Sequence, residues 1–127
     1  MGKYHKSGFW RSLIQAWRGL RYAYKTQKHL QFHGLATVVV AGVAWWSKVT
    51  LTQWALLFFA IGSVFCAEVM NTALEIVVDM VQPNFHPLAG MAKDVAAGAV
   101  LVASIQAIVI GLVVFFPKLL RLTHIFL

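Results

Sequence analysis

The sequence of 127 residues contains only four acidic side chains, Glu68, Glu75, Asp79 and Asp94. Three of them fall in one long apolar stretch, and their spacings of seven and four residues place them on one face of a helix. We call Glu68, Glu75 and Asp79 the acidic stripe. A carboxylate in the hydrocarbon core of a bilayer costs at least about 2.5–3.5 kcal/mol on insertion scales. Such a stripe therefore indicates a functional site more than a packing feature.

The chemistry open to the acidic stripe depends on what neutralises it. Clustered like charges repel one another unless a cation lies between them, and Mg²⁺ prefers a few carboxylates together with substrate phosphates. Asn71 lies near the stripe, and Lys93 and Asp94 follow where a soluble phosphate donor could reach them. Two plainer interpretations stay open. The stripe could be a buried polar network between helices, and Lys93 and Asp94 could be a solvated helix start favoured by the helix dipole.

The composition indicates an integral membrane protein. Hydrophobic residues make up 60% of the chain, charged residues make up 12%, and the mean hydropathy is +0.72, whereas a soluble domain carries roughly 25% charged residues. The net charge of +7 is concentrated before the first apolar run. Basic residues in that position are typical of a cytoplasmic flank facing anionic lipid, so we expect no nucleic-acid partner. Seven of the eleven basic residues lie before this run, namely Lys3, Lys6, Arg11, Arg18, Arg21, Lys25 and Lys28.

The hydrophobic pattern predicts a single all-α membrane domain over residues 1–127. An amphipathic helix within residues 9–28 carries Trp on one face and Arg on another, which is typical of a helix lying on the membrane surface. Two prolines in residues 82–87 and a third at Pro117 are expected to end helices. The predicted transmembrane spans are residues 30–46, 51–81 and 95–116.

The basic residues also predict the topology. The N-terminus and the loop of residues 82–94 are expected to be cytoplasmic, in a multi-pass protein of the bacterial cytoplasmic membrane. No phosphate-binding loop of the type G-x-x-x-x-G-K-[ST] and no kinase-type Gly-rich loop occurs in the sequence. Taken alone, the residues leave three classes open: an enzyme with a metal site, a small proton- or cation-coupled transporter, and a non-catalytic scaffold.

Two motifs go further. Residues 68–79 read EVMNTALEIVVD and residues 86–100 read HPLAGMAKDVAAGAV. Together they resemble the prokaryotic diacylglycerol kinase family, whose pattern is E-x-x-N-[ST]-A-x-E-x-x-x-D, a short loop, and A-K-D-x-x-[AS]-[AG]-A-V. The resemblance extends over about residues 9–120 and includes AWRGL at residues 16–20. The proline-containing loop and the Ala-Gly-Ala-Val ending are more similar to the Gram-positive branch, which phosphorylates undecaprenol, than to the diacylglycerol branch.

The resemblance implies a homotrimer with three spans and one surface helix per subunit, and active sites shared between neighbours. It implies transfer of a phosphoryl group from ATP with Mg²⁺ to a lipid hydroxyl, with undecaprenol as the favoured acceptor and diacylglycerol as the alternative. Glu68 matches the general base of the family and Glu75 matches a metal ligand. The residues matching the nucleotide site are Asn71, Asp79, Asn84, Phe85, His86, Lys93 and Asp94.

One position departs from the family pattern. The family carries a Glu before the first span that helps to bind metal, and the matching position here is Gln27. An amide oxygen can coordinate Mg²⁺ but brings no charge. We therefore expect Gln27 to serve as a metal ligand and the metal to be bound more weakly than by the family carboxylate.

Overall fold

The computed structural model describes the backbone of residues 8–123 and the side chains as far as residue 120. This part of the chain forms an all-helical structure. Three basic side chains considered in the sequence analysis lie outside the described residues: Lys3, Lys6 and Arg121. The helices are α1 (Phe9–Thr26), α2 (Lys28–Trp46), α3 (Leu51–Val81) and α4 (Pro87–Thr123).

Helix α1 is amphipathic, as predicted, and its apolar side is exposed: Trp10 is 75% and Trp17 67% accessible. It ends at Thr26 because Gln27 adopts an extended backbone with φ −104° and ψ 112°. The Gln31 side chain then donates from Nε2 to the Tyr24 carbonyl oxygen at 3.0 Å, which satisfies one of the free carbonyls at the end of α1. An exposed Trp-rich face beside basic residues suits the headgroup region of a membrane.

Two helices are long and apolar enough to cross a bilayer: α3 over Leu51–Val81 and the segment Pro87–Leu120 of α4. Helix α2, which coincides closely with the first predicted span, has 19 residues and does not reach the same hydropathy. The polar side chains of its first two turns lower the average. These are Lys28, His29, Gln31 and His33.

Helix α3 has the bounds predicted for the second span. It begins after a capping box, in which the Thr50 hydroxyl accepts a hydrogen bond from the Gln53 backbone N–H at 3.3 Å and the Gln53 side chain accepts one from the Thr50 N–H at 3.0 Å. It ends before Pro83, which cannot continue the helix. Its 31 residues extend over roughly 46 Å, so that the helix exceeds a hydrocarbon core of about 30 Å.

Helix α4 corrects two expectations about proline. It begins at Pro87 and not near residue 95, because a proline in the first helical position loses no hydrogen bond and already has a helical φ. It also continues through Pro117 to Thr123, although Pro117 was expected to stop it. Proline inside a membrane helix is tolerated where neighbouring groups compensate. Here the Lys118 ammonium group donates to the carbonyl oxygen of Ser47 at 2.9 Å and ties this turn to the α2–α3 connection.

Helices α3 and α4 pack against each other along much of their length, and α2 packs against α3 over a smaller contact. A small core of Ala44, Val49, Leu57 and Val114 joins the end of α2 to both longer helices. The remaining apolar surface points outward, with Phe58 80% accessible. Since water would disfavour so much exposed apolar area, the fold is that of an all-α membrane protein.

The capping box predicts a measurable contribution to stability. Thr50→Ala should lower the free energy of unfolding in detergent micelles by about 1 kcal/mol, because the Gln53 N–H loses its side-chain acceptor. Thr52→Ala is the matched control, since Thr52 is exposed in the first turn of α3, and it should change stability by less than about 0.5 kcal/mol. Equal effects of the two substitutions would contradict a stabilising role for the capping box.

Candidate active site

Helix α3 presents Glu68, Asn71, Glu75 and Asp79 on one face, at successive spacings of three, four and four residues. Their burial decreases along the helix. Glu68 is 6% accessible, Asn71 and Glu75 are half-buried, and the Asp79 side chain is 65% accessible. The first and last carboxylates are separated by a helical rise of about 16 Å. The face therefore leads from a buried carboxylate to an exposed one.

Glu68 lies at the contact between α2 and α3. Its Oε1 atom is 3.3 Å from Nε2 of His33 on α2. The neighbouring Thr72 hydroxyl donates to the main-chain oxygen of Glu68 at 2.9 Å, and so does not occupy the carboxylate. An unpaired carboxylate at this level of burial is strongly unfavourable. The contact with His33 is thus the interaction in the structure that offsets its burial.

Asn71 and Glu75 form the middle of the face. Asn71 donates from Nδ2 to Oε1 of Glu75 at 3.0 Å, and the Asn71 Oδ1 atom is buried with no hydrogen-bond partner among the described residues. An unsatisfied buried acceptor costs about 1–3 kcal/mol, so that a cation or a hydrogen-bond donor bound here would be stabilised. The acceptor atoms of both side chains are oxygens, which is the ligand type that Mg²⁺ prefers.

Asp79 and Lys93 join α3 to α4 at the exposed end of the face. The Lys93 ammonium group donates to Oδ1 of Asp79 at 2.5 Å, although the two residues are 14 positions apart. Both side chains are accessible, and exposed ion pairs contribute about 0–1 kcal/mol. Lys93 is therefore held loosely enough to exchange its partner for a phosphate oxygen. Asp94 lies beside it on the exposed surface of α4.

The loop of residues 82–86 connects α3 to α4 at this same end. Asn84 and Phe85 are exposed, Phe85 to 94%. His86 has a structural contact, because its Nδ1 atom accepts a hydrogen bond from the Leu88 N–H at 3.2 Å and so caps the start of α4. The structure brings these three residues to the end of the molecule that carries Asp79 and Lys93, without contacts that assign them a ligand.

Gln27 is half-buried at the junction of α1 and α2. Helices α2 and α3 run antiparallel, and His33 lies beside Glu68. Positions along the two helix axes can therefore be counted from this contact. Gln27 lies about 9 Å before His33 along α2, and Glu75 lies about 10 Å beyond Glu68 along α3, in the same direction. The two residues therefore occupy similar levels. Within residues 8–120, no three His, Cys, Asp or Glu side chains are grouped in a way that could hold a metal ion.

Two apolar cavities are lined by residues that neighbour Glu68 in sequence or contact it. A cavity of about 580 Å³ separates α1 from α3 and is lined by Trp17, Tyr24, Leu30 and Met70 among others. A second cavity of about 490 Å³ lies between α2, α3 and α4, and His33 is part of its wall. Phe65, one turn before Glu68, lines both. Cavities of this size and polarity suit hydrocarbon chains.

The sequence motifs assigned His33 no functional role. The hairpin offered a signal, because counting outward from the turn at residues 47–50 places His33 opposite about residue 64, one helical turn from Glu68. Periodicity along one helix does not reveal which residues of a second helix lie beside it. The contact between His33 and Glu68 depends on how α2 packs against α3.

Comparisons with known proteins identify the family of the chain. The family model described as prokaryotic diacylglycerol kinase matches residues 14–115, which include every predicted site residue. The chain is 39% identical over 111 residues to an undecaprenol kinase of Bacillus subtilis, covering 87% of this chain and 90% of that protein. It is 42% identical over 114 residues to a diacylglycerol kinase of Synechocystis, covering 87% of this chain and 64% of that protein. It is 34% identical over 106 residues to a diacylglycerol kinase of Escherichia coli K12, covering 81% and 87%.

Proposed function

The chain belongs to the prokaryotic diacylglycerol kinase family, and we propose that it transfers the γ-phosphoryl group of ATP to the hydroxyl of undecaprenol, giving undecaprenyl phosphate and ADP. It is a lipid kinase, a phosphotransferase with an alcohol as acceptor. The proposal rests on the polar face of α3, along which side-chain burial decreases from Glu68 to Asp79. Glu68 is buried among apolar helices, where the lipid hydroxyl would bind, and the face ends at the accessible side chains of Asp79 and Lys93, where a soluble nucleotide would bind.

In this mechanism Glu68 acts as the general base. It accepts the proton of the lipid hydroxyl while the hydroxyl oxygen forms a bond to the γ-phosphorus and the bond between that phosphorus and the bridging oxygen of ATP breaks. ADP carries away the bridging oxygen, and the proton later leaves Glu68 for solvent. Lys93 exchanges Asp79 for a phosphate oxygen and offsets negative charge in the transition state. Asn71, Asp79, Asp94 and the loop residues Asn84, Phe85 and His86 would hold the nucleotide.

The residues between Glu68 and Lys93 fit a magnesium ion. Glu75 supplies a carboxylate, the buried Asn71 Oδ1 is an oxygen without a partner, and Gln27 lies at a similar level on the neighbouring helix. Bound there with ATP, Mg²⁺ would neutralise charge on the transferring phosphate. Glu75 and Gln27 would hold the metal, and Asn71 would orient Glu75 through its amide N–H.

Undecaprenol is proposed as the acceptor on two grounds. The relative named undecaprenol kinase is matched over 90% of its length, and the grooves beside Glu68 are lined almost wholly by apolar side chains. A prenyl chain needs apolar contacts and no polar partner beyond its hydroxyl. Diacylglycerol, the substrate named for the other relatives, is the alternative acceptor. A transporter would require neither Lys93 beside Asp79 nor the kinase family pattern.

The proposal includes the assembly and the topology expected from the sequence. We propose a homotrimer in the bacterial cytoplasmic membrane, with the N-terminus and the Asp79–Lys93 end in the cytoplasm, where ATP is available. Helix α2 would be the third span, since its 19 residues extend over about 28 Å, close to the hydrocarbon thickness of about 30 Å. The exposed apolar side chains of α3 and α4 would contact lipid and neighbouring subunits.

The direct test is phosphate transfer from labelled ATP with Mg²⁺ to undecaprenol and to diacylglycerol, assayed side by side in the same detergent micelles. We expect faster turnover with undecaprenol, by at least about tenfold in kcat/KM, which corresponds to about 1.4 kcal/mol of transition-state discrimination. A preference for diacylglycerol would overturn the acceptor, and transfer to neither lipid would overturn the activity.

Gln27→Glu should strengthen metal binding, because it adds a carboxylate at the level of Glu75. We expect the Mg²⁺ concentration for half-maximal activity to fall by about tenfold, and Mn²⁺ bound in the presence of ATP, measured by electron paramagnetic resonance, to tighten in parallel. Gln15→Glu adds the same charge on the exposed surface of α1 and should change neither quantity by more than twofold. Unchanged metal dependence in Gln27→Glu would remove Gln27 from the metal site.

A further inference from the structure

His33 is the polar residue of α2 that lies beside the proposed general base. Its Nε2 atom is 3.3 Å from Oε1 of Glu68. Glu68 is buried, and the His33 side chain retains 23% accessibility. Across the described residues, no other hydrogen bond or ion pair to the Glu68 carboxylate is found. A histidine in this position is not part of the phosphate-transfer mechanism described above.

A general base on a membrane helix needs a fixed orientation. The Glu side chain has three rotatable bonds, and its burial among apolar neighbours provides no directional contact. When Nε2 of His33 carries a proton, it donates to Oε1, which fixes the carboxylate plane and leaves Oε2 free to accept the proton of the lipid hydroxyl. The same contact gives the buried carboxylate a hydrogen-bond partner.

The surroundings of His33 add a second observation. The imidazole forms part of the wall of the apolar cavity between α2, α3 and α4, so that it lies between that cavity and Glu68. The other cavity, on the α1 side of α3, is lined by Leu30 and by Val69, the residue that follows Glu68. His33 thus contacts the Glu68 carboxylate on one side and lines the cavity between α2, α3 and α4 on the other.

We propose that His33 is a positioning residue for Glu68, holding one carboxylate oxygen by a hydrogen bond so that the other faces the acceptor hydroxyl. The role rests on the proposed lipid kinase function. It acts through Glu68, which the imidazole contacts directly, whereas Asp79 and Lys93, proposed to hold the nucleotide, lie a helical rise of about 16 Å along α3.

The test compares two substitutions of His33 in the full-length protein. His33→Leu cannot donate a hydrogen bond and should lower kcat by about 10²-fold, the effect expected when a reacting group is misplaced by about 1 Å. The KM for ATP should stay within twofold. His33→Gln places an N–H donor near the position of Nε2 and should keep kcat within about fivefold of the original protein.

His29→Leu is the matched control, since His29 lies one turn earlier on α2 and is exposed; it should leave kcat unchanged. All variants are compared by gel filtration and thermal unfolding. A kcat for His33→Leu within threefold of the original protein would overturn the proposal. It would also be overturned if His33→Gln were as slow as His33→Leu, or if the loss appeared only as a raised KM for ATP.

A second readout separates this proposal from the lipid kinase function itself. In protein labelled with ¹⁵N at histidine, Glu68→Gln should shift the side-chain resonance of His33 by several ppm and leave that of His29 unchanged. If the original protein phosphorylated no lipid, the proposed function would fail, and the resonance would still decide whether His33 and Glu68 are coupled. An unshifted His33 resonance would overturn the coupling whatever the activity.

Discussion

The cost of placing a carboxylate among apolar helices constrains the rest of this structure. Glu68 is 6% accessible, and a buried carboxylate is tolerated only where another group neutralises or hydrogen-bonds it. Helix α2 must therefore approach α3 closely enough for His33 to reach it. The short turn between α2 and α3, its capping box at Thr50 and the Lys118 contact with Ser47 hold these two helices in that relation.

The same constraint explains how one helix can serve substrates from two phases. The lipid acceptor of a lipid kinase is confined to the bilayer, whereas ATP is confined to water. The face of α3 changes from buried at Glu68 to exposed at Asp79 within eleven residues, so that a lipid hydroxyl and a phosphate can approach the same stripe from opposite directions. The oxygen atoms of Asn71 and Glu75 lie between these two ends of the face, and a metal ion held there would neutralise negative charge on a phosphate. Catalysis in this arrangement depends mainly on positioning and charge, as is usual for phosphoryl transfer.

Much of this could be predicted from the sequence, because periodicity reports which residues share a helix face. The bounds of α3 followed from an apolar run between Thr50 and Pro83, and the alignment of Glu68, Glu75 and Asp79 followed from their spacing. Proline was the weak signal. Pro87 begins α4 and Pro117 lies inside it, and local sequence does not distinguish these positions from helix ends. Contacts between helices, such as His33 with Glu68 and Lys93 with Asp79, depend on how the helices pack, which no single helix pattern contains.

The central claim is that Glu68 takes the proton of a lipid hydroxyl in a kinase reaction, and Glu68→Gln tests it most directly. The amide keeps the size of the side chain and can still contact His33, but it cannot act as a base. If Glu68 is the base, lipid phosphorylation is lost in this variant, by at least about 10²–10⁴-fold in kcat, while ATP affinity and the oligomeric state are unchanged. Turnover within tenfold of the original protein would contradict it, and Glu68 would then be a structural residue of the α2–α3 contact.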